Sequence, residues 1–268
     1  MAVHVDPTAV VDPKAVLDDG VSIGPYCVVG PGAFIASGTK LLNHVTIMGN
    51  VRIGCDNTFY PNCVIGGDPQ DLSYRDEPTW VVIGDRNTFR EACTVHRATT
   101  KELGITRIGS GNFLMSMVHI AHDCHVGNRI IIANGTQISG HTHIQDCVVL
   151  SGMVGVHQWT TIGRFAFVGA MSRIRTDVAP FMFYEGFLAE PKKVNLVGLR
   201  RNGFDRPDIL GLCEAHRILF RKGLAFEQAR QEIQSTVAPS KLISELLEFM
   251  EHKRTGAKGR GREGRRAA

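Results

Sequence analysis

The sequence lacks the features of three classes of protein. No apolar run approaches the roughly 18 residues of a membrane-spanning helix. The first residues show no basic segment followed by an apolar core, so no secretory signal is predicted. The seven cysteines form no Cys-x-x-Cys pair and fit neither a small disulfide scaffold nor a zinc pattern. We therefore expect a cytoplasmic globular protein without a membrane span.

Excess positive charge is confined to the C-terminal tail. From Lys253 onward there are seven Lys and Arg residues and one acidic residue, Glu263, so this segment has a charge of +6. Because the whole chain has a net charge of +4, the rest of the chain has a charge of about −2. The segment 255–268 is rich in glycine and arginine and cannot bury apolar surface, so we expect a disordered basic tail. No aromatic residue interleaves with these charges, which favours a solvated tail over a nucleic-acid-binding arm.

A six-residue repeat fills most of the chain. Twelve aliphatic residues follow one another at this spacing from Ile108 to Ile174, and eleven aliphatic or aromatic residues do so from Val5 to Ile65. The period fits neither an amphipathic helix nor an alternating strand, but it fits a solenoid in which each hexad is one strand and one corner. Three hexads per coil would stack positions eighteen apart, about 4.8 Å from one another.

The repeat predicts the domain organisation. Residues 1–180 form a hexapeptide-repeat parallel β-helix with loops at 66–82 and 100–107, and 181–204 form an extended connection. A C-terminal helical domain follows at 205–254.

Three helices are predicted in this domain. Asp205 precedes the first, which Gly223 ends, the second runs from Phe226 to about Gln234, and Ser240 caps the third. Short helices are marginal alone, so we expect them to pack on the solenoid or on a neighbouring subunit.

Four cysteines share one position of the hexad, namely Cys27, Cys63, Cys93 and Cys124. Alanine, valine and threonine fill the same position in other hexads. This pattern favours small buried side chains over catalytic nucleophiles.

The histidines between 119 and 157 stack along one edge of the predicted solenoid. The eighteen-residue period places His122 next to Gly140, and Asp123 next to His141. A histidine beside a carboxylate suits general-base catalysis, and the Gly140 N–H suits oxyanion stabilisation, so the pair predicts acyl transfer. His125 and His143 are interpreted as solvated corner residues.

A zinc site made by histidines from neighbouring coils is the alternative interpretation of this cluster. It is weakened because His119 and His122 are three residues apart. On a strand they would point to opposite faces unless a corner lies between them.

Several motifs lie beyond the repeat itself, at 66–72, 84–87, 96–97, 119–124, 126–128, 140–141, 156–158, and Asn195 with 198–204. Together they resemble the UDP-N-acetylglucosamine O-acyltransferases, the hexapeptide-repeat family that opens lipid A synthesis in Gram-negative bacteria. The resemblance covers about residues 3–255. It implies a mainly β protein, a left-handed parallel β-helix with a C-terminal α-helical domain, assembled as a homotrimer with active sites between subunits.

The resemblance also implies the substrates and their contacts. The donor would be an (R)-3-hydroxyacyl chain on acyl carrier protein and the acceptor a UDP-sugar, with no cofactor or metal. His122 matches the base that deprotonates the sugar 3-hydroxyl, Asp123 the residue that steadies it, and Gly140 the oxyanion donor. Ala170 matches the ruler at the end of the acyl groove. Positions that match substrate contacts are Gln70, Asp71, His96, His119, His141, His157, Gln158, Asn195 and Arg201.

Some positions depart from the family pattern. Ser73, Val197 and Asn202 stand where the enterobacterial form has lysine, glutamate and a second arginine, which changes the expected nucleotide contacts. The stretch 184–187 also differs and affects the expected selectivity. Two alternatives stay open, which are amide formation on a 3-amino sugar nucleotide and a γ-class carbonic anhydrase-like zinc enzyme on the same solenoid.

Overall fold

A computed structural model describes residues 2–256 and 259–262 as a three-sided parallel β-helix followed by four α-helices. The first sheet contains His4–Val5, Ser22–Ile23, Lys40–Leu41, Thr58–Phe59, Thr88–Phe89, Phe113–Leu114, Ile131–Ile132, Val149–Leu150, Phe167–Val168, Met182–Glu185 and Glu190–Val194. The second contains Val10–Val11, Val28–Val29, Thr46–Ile47, Val64–Gly67, Thr94–His96, His119–Ile120, Gln137–Ile138, Gly155–Val156 and Arg173–Ile174. The third contains Val16–Leu17, Ala33–Ile35, Asn50–Ile53, Trp80–Ile83, Ile105–Ile108, His125–Val126, His143–Ile144 and Thr161–Ile162.

The strand register confirms the predicted coil of eighteen residues. His119 pairs with Gln137, Gln137 with Gly155, and Gly155 with Arg173, always in parallel. Each hexad contributes one short strand whose aliphatic residue points inward, as Ile120 does with no exposed surface. The core is therefore a stack of aliphatic layers along the axis of the β-helix, and polar side chains alternate to the outside.

The four cysteines of the shared hexad position are buried in this core, as predicted. Burial raises the pKa of the Cys124 thiol to about 12, because a thiolate would lose its hydration there. Cys124 is thus a small core residue.

The two excursions leave the wall at slightly different residues than predicted. The strand before the first loop, Val64–Gly67, ends at Gly67, and the strand after it begins at Trp80, so the first loop spans 68–79. The second loop spans 97–104, since Ile105–Ile108 already pairs with the neighbouring coil.

The prediction of an extended connection at 181–204 was wrong in part. Met182–Glu185 and Glu190–Val194 form an antiparallel hairpin that continues the first sheet. A short helix, α1, Leu196–Arg201, follows. Tyr184 helps to hold the hairpin against the β-helix, because its ring is buried and its hydroxyl accepts a hydrogen bond from Ala179 N at 3.1 Å.

The three predicted C-terminal helices are present as α2, Arg206–Arg221, α3, Phe226–Thr236, and α4, Lys241–Thr255. The Ser240 side chain caps α4 as expected. None of the helices in the described part of the chain is both long and apolar enough to cross a membrane.

Helix α4 fastens the helical domain to the β-helix. Arg164 pairs with Glu245 at 2.5 Å, and the Lys253 ammonium donates to the Asp177 carbonyl at 2.9 Å. Burial lowers the pKa of Lys253. The helices therefore pack on the solenoid of the same chain.

The expectation of a disordered tail at 255–268 does not hold where the tail is described. Thr255 still belongs to α4, Gly256 ends that helix with a φ of 65°, and Gly259–Arg262 form a 3₁₀ turn. Residues 257–258 and 263–268 lie outside the described residues.

Candidate active site

The candidate site lies at the corner between the second and third sheets. Corner segments 121–124, 139–142 and 157–160 stack there in successive coils. Asp123 and His141 occupy the same place in their coils, and both adopt the left-handed conformation that makes the chain turn, with φ near 60°. A corner does lie between His119 and His122, since His119 begins the strand His119–Ile120 and His122 lies in the turn after it, and His122 contributes to the lowered pKa of His119.

His122 is held by Asp123 at this corner. The Nδ1 atom of His122 lies 2.8 Å from the Asp123 Oδ2 atom, and the Asp123 side chain is only 1% exposed. Thr99 donates to the same carboxylate oxygen from its backbone N–H at 3.0 Å and from its hydroxyl at 2.8 Å. Because the carboxylate accepts at Nδ1, it selects the tautomer that keeps the Nε2 lone pair available.

Gly140 packs directly on the His122 ring from the adjacent coil. A Cβ atom at Gly140 would lie 2.6 Å from His122 Cε1 and 2.8 Å from Nε2. The position therefore requires glycine. Within the described residues, the Gly140 N–H donates to no backbone or side-chain acceptor. An N–H group beside Nε2 can stabilise an oxyanion that forms there.

His141 forms the wall behind the dyad. Its ring stacks on Trp159 with centroids 3.9 Å apart, and its Nδ1 atom lies 3.1 Å from Glu102 Oε2. The His141 ring also meets His122 edge-on at 5.1 Å. Its Nε2 atom lies 3.9 Å from Asp123 Oδ2, so His141 is fixed within reach of the same cleft.

His96 and His119 lie on the neighbouring strands and contact each other edge-on, with centroids 4.8 Å apart. Burial, followed by the nearby His96 and His122, lowers the pKa of His119 to about 4. Burial also lowers the pKa of His96. Both shifts favour neutral rings at pH 7. The His119 Nδ1 atom lies 2.8 Å from the Thr94 hydroxyl, whereas His96 Nδ1 is buried without a hydrogen-bond partner among the described residues.

The first loop brings Gln70 and Asp71 to the second loop. Lys101 pairs with Asp71 at 2.5 Å, and the Ser73 hydroxyl donates to Asp71 at 2.7 Å. Burial alone would raise the pKa of Asp71, but these hydrogen bonds outweigh it and hold the pKa well below its usual range. Gln70 is exposed.

Arg97 fastens the same loop to the wall. Its guanidinium donates to the Gly66 carbonyl at 2.6 Å and to the Tyr74 hydroxyl at 2.9 Å, and it pairs with Asp68. The side chain is 11% exposed, so this anchor is largely shielded from water.

The remaining predicted site residues do not meet His122 within one chain. His157 and Gln158 lie at the same corner two coils away. Asn195 caps α1 and donates to the Phe165 carbonyl at 2.8 Å, so its amide is engaged within the fold. Arg201 is exposed at the end of α1, and Ala170 is exposed at the corner between the first and second sheets.

Sequence reasoning missed two residues of the site. Thr99 and Glu102 reach it from the second loop, and they orient Asp123 and His141. The break in the repeat marked the loop. Nothing in the spacing indicated which of its side chains turn inward. His125 and His143 were placed wrongly at corners, since both lie on strands of the third sheet with their rings stacked 4.7 Å apart.

The possible metal ligands at this site allow the zinc alternative to be assessed. Ligand atoms of His122, Asp123 and His141 lie within 4.8 Å of one another and could together hold a metal ion. The Asp123 oxygen between them already accepts from Thr99 and lies against His122 Nδ1. This arrangement favours proton transfer by His122.

Comparison with known proteins identifies the family. The model described as UDP N-acetylglucosamine O-acyltransferase, domain 2, matches residues 177–261, and the bacterial transferase hexapeptide model matches 105–140. An acyl-[acyl-carrier-protein]–UDP-N-acetylglucosamine O-acyltransferase of Burkholderia lata is 40% identical over 76% of this chain and 79% of its own. One from Verminephrobacter eiseniae is 45% identical over 69% and 71%. The chain belongs to the UDP-N-acetylglucosamine O-acyltransferase family.

Solved structures of this family share the whole fold. The UDP-N-acetylglucosamine acyltransferase of Bacteroides fragilis superposes with a TM-score of 0.91 at 30% identity, over 95% of this chain and 98% of that one. LpxA from Acinetobacter baumannii gives 0.89 at 40% identity, over 94% and 97%. The solenoid is the left-handed parallel β-helix with a C-terminal helical region that the resemblance implied. The amide-forming and carbonic anhydrase-like alternatives are not favoured.

Proposed function

We propose that this chain transfers an (R)-3-hydroxyacyl group from acyl carrier protein to the 3-hydroxyl of UDP-N-acetylglucosamine, the first step of lipid A synthesis, in the cytosol. The observation that carries the proposal is the pairing of His122 with Asp123 directly beneath the Gly140 backbone. The names of the relatives given above include both acyl carrier protein and UDP-N-acetylglucosamine, and they support this choice of substrates.

The geometry suits one general-base mechanism. His122 Nε2 accepts the proton of the sugar 3-hydroxyl as its oxygen attacks the thioester carbonyl carbon. The carbonyl electrons move to oxygen, and the Gly140 N–H donates to that oxyanion. When the tetrahedral intermediate collapses, the C–S bond breaks and the imidazolium returns its proton to the sulfur. Asp123 stabilises the imidazolium between the two transfers.

The other predicted residues receive binding roles in this proposal. Gln70 and Asp71 present the sugar-binding loop, and His96, His119 and His141 line the cleft around the reacting groups. His157 and Gln158 contact the substrate farther along the same corner. Asn195 orients α1 through its cap, which leaves Arg201 at the end of α1 for the diphosphate.

A homotrimer completes the site in this proposal. Met117, Met153 and Met171 are each at least 66% exposed and stand in one row at the corner that carries Ala170. Packing of a neighbouring subunit against this corner would bury the row and enclose an acyl groove. Light scattering should give three times the chain mass of 29.4 kDa, and a monomer with full activity would refute the arrangement.

An acyl-transfer assay tests the reaction. Purified protein should acylate UDP-N-acetylglucosamine from (R)-3-hydroxyacyl-acyl carrier protein and give an ester that mild alkali cleaves. If only the 3-amino sugar nucleotide is acylated, the product is an amide, and the proposed ester-forming reaction is wrong. Stoichiometric zinc together with bicarbonate formation from CO₂ would instead support the metalloenzyme.

A further inference from the structure

A basic cleft lies at the corner of the β-helix that also holds His122, toward its C-terminal end. The cleft has a volume of about 460 Å³ and is lined by His157, Arg173, Arg175, Thr176, Leu188, Ala189 and Arg260. Among the described residues that line it there is no aspartate or glutamate. Three arginines around one concave surface make an environment that selects anions.

The 3₁₀ turn at the C-terminus supplies one of these arginines. The Arg260 backbone N–H donates to the Asp177 carboxylate at 3.1 Å, and its guanidinium donates to the Gln158 carbonyl at 3.2 Å. Gly259 enters this contact with a φ of 69°, and a Cβ there would lie 1.9 Å from Asp177 Oδ2. The tail thus folds back onto the solenoid at a position that only glycine fits.

The other two arginines come from the wall itself. Arg173 and Arg175 flank the inward-facing Ile174, so both side chains point outward from the same edge. Both are exposed, and neither takes part in an ion pair within the described part of the chain. Their charge is therefore available to a ligand.

A shallow trough joins this cleft to the catalytic corner. It is lined by Gln137, Ser139, Gly155, Val156, His157, Arg173 and Ile174, so it shares two residues with the cleft. A Cβ built at Gly155 would meet no atom within 4 Å, so the floor of the trough is open. A substrate chain can lie along it without displacing a side chain.

The length of the trough limits what fits. Arg173 stands three strands beyond His119, which corresponds to roughly 14 Å at the usual spacing. The 4′-phosphopantetheine arm spans about four residues of extended peptide from its sulfur to its phosphorus, also roughly 14 Å. In the sugar nucleotide, fewer than two such residues, below roughly 7 Å, separate the 3-oxygen from the nearer phosphorus.

We infer that the cleft binds the phosphate group of a substrate whose reacting atom lies at His122. The inference rests on the proposed function, because that function supplies both phosphate-bearing substrates. The distance favours the phosphodiester of the acyl donor arm. The diphosphate of the sugar nucleotide is the other source of the same chemistry. Each guanidinium offers a planar pair of donors that match phosphate oxygens.

Glutamine substitutions test the inference on the full chain. R173Q, R175Q and R260Q replace each guanidinium by a shorter, uncharged polar side chain, and R52Q serves as the matched control because Arg52 is exposed on the third sheet. Binding of 4′-phosphopantetheine and of UDP is measured by calorimetry, which needs no turnover. Removal of one charge-assisted hydrogen bond to the phosphate should weaken binding about tenfold or more. Steady-state kcat/KM is then measured with acyl-phosphopantetheine, with acyl-pantetheine lacking the phosphate, and with acyl carrier protein.

The outcomes separate the two sources and the two proposals. Weaker 4′-phosphopantetheine binding, with kcat/KM lowered for acyl-phosphopantetheine and unchanged for acyl-pantetheine, assigns the cleft to the donor. Weaker UDP binding and a raised KM for the sugar nucleotide assign it to the acceptor. Losses no larger than those of R52Q, or losses seen only with the whole carrier protein, overturn the inference. If the parent chain binds either ligand but transfers no acyl group, the proposed function fails and the cleft assignment stands.

Discussion

The chemistry of His122 depends on its place at a corner. A corner residue can share a carboxylate with the next coil, and here Asp123 lies 2.8 Å from the ring while Thr99 fixes the carboxylate. On a strand, a histidine would instead lie on the outer face of the sheet and stack on the equivalent residue of the next coil, as His125 and His143 do. Backbone conformation therefore distinguishes the candidate base from its neighbours.

Loss of the base is the first prediction. The variant His122→Ala should lower kcat by about 100-fold or more with a modest change in KM, because a positioned base contributes to the transition state. His125→Ala is the control and should leave kcat nearly unchanged. An equal loss in both variants, measured on folded protein of the parent's mass, would mean that the wrong histidine has been chosen.

A methyl group at Gly140 tests the oxyanion site. Gly140→Ala would place a Cβ 2.6 Å from the His122 ring, so the imidazole must shift away from its productive position. We expect kcat to fall at least tenfold while the protein stays folded. Gly211→Ala in α2 is the control, because the nearest atom to a Cβ there is Val237 Cγ1 at 3.4 Å, an ordinary contact distance. Unchanged turnover in Gly140→Ala would remove this glycine from the mechanism.

Ala170 tests the acyl ruler. Each buried methylene contributes about 0.8 kcal/mol, whereas one forced against a packed wall costs about 1–3 kcal/mol. Ala170→Gly should therefore lengthen or broaden the preferred (R)-3-hydroxyacyl chain, and Ala170→Met should shorten it. Relative kcat/KM across a chain-length series measures the preference. The same ranking in all three proteins would show that Ala170 does not line the groove end.

At the scale of elements, one corner is held together by a ladder of buried asparagines. The Asn87 amide donates to Asn57 Oδ1 and to the Gly109 carbonyl, both at 2.9 Å, and its oxygen accepts from Asn112 N at 2.9 Å. Each asparagine thus replaces the backbone hydrogen bonds that the turn between two sheets cannot make. The coils of the β-helix are stabilised by this ladder as well as by their aliphatic core.

Removal of one member should weaken the β-helix. Asn87→Ala leaves a buried acceptor and a buried donor without partners, so the free energy of unfolding should fall by at least about 2 kcal/mol. Denaturant unfolding followed by circular dichroism measures the change. Asn43→Ala, at a partly exposed position, should change it by less than about 0.5 kcal/mol. Similar values for the two variants would contradict a structural role for the ladder.

At the scale of the whole molecule, the half-buried His119 makes stability depend on pH. His119 has a pKa of about 4 in the folded chain, against an ordinary value of 6.5. Between these values the unfolded chain binds more protons, so the contribution of His119 is complete above pH 6.5 and is lost as the pH falls through 4. Burial of the neutral ring sets the direction of this effect.

A pH series of thermal unfolding checks this assignment. The Tm of the parent should fall between pH 6.5 and 4, and His119→Gln should show a smaller decrease because the titrating group is gone. His4→Gln, at an exposed position, should follow the parent. A His119→Gln profile parallel to the parent would assign the pH dependence to other groups.

The sequence by itself determined the solenoid, because a strict hexad admits one way of burying an aliphatic residue at every sixth position. It also indicated the three C-terminal helices, since caps and helical periodicity are local properties. The stacking of His122 beside Gly140 followed from the eighteen-residue coil for the same reason.

Tertiary structure alone decided the contacts that cross between irregular segments. Thr99 and Glu102 reach the site through a loop whose path no period describes, and Asn195 proved to be a helix cap with both polar atoms engaged. The tail composition predicted solvation, yet Arg260 packs against Asp177 because a folded acceptor stands there. Repeats specify neighbours at fixed spacing, whereas loops and tails meet partners that only the assembled surface provides.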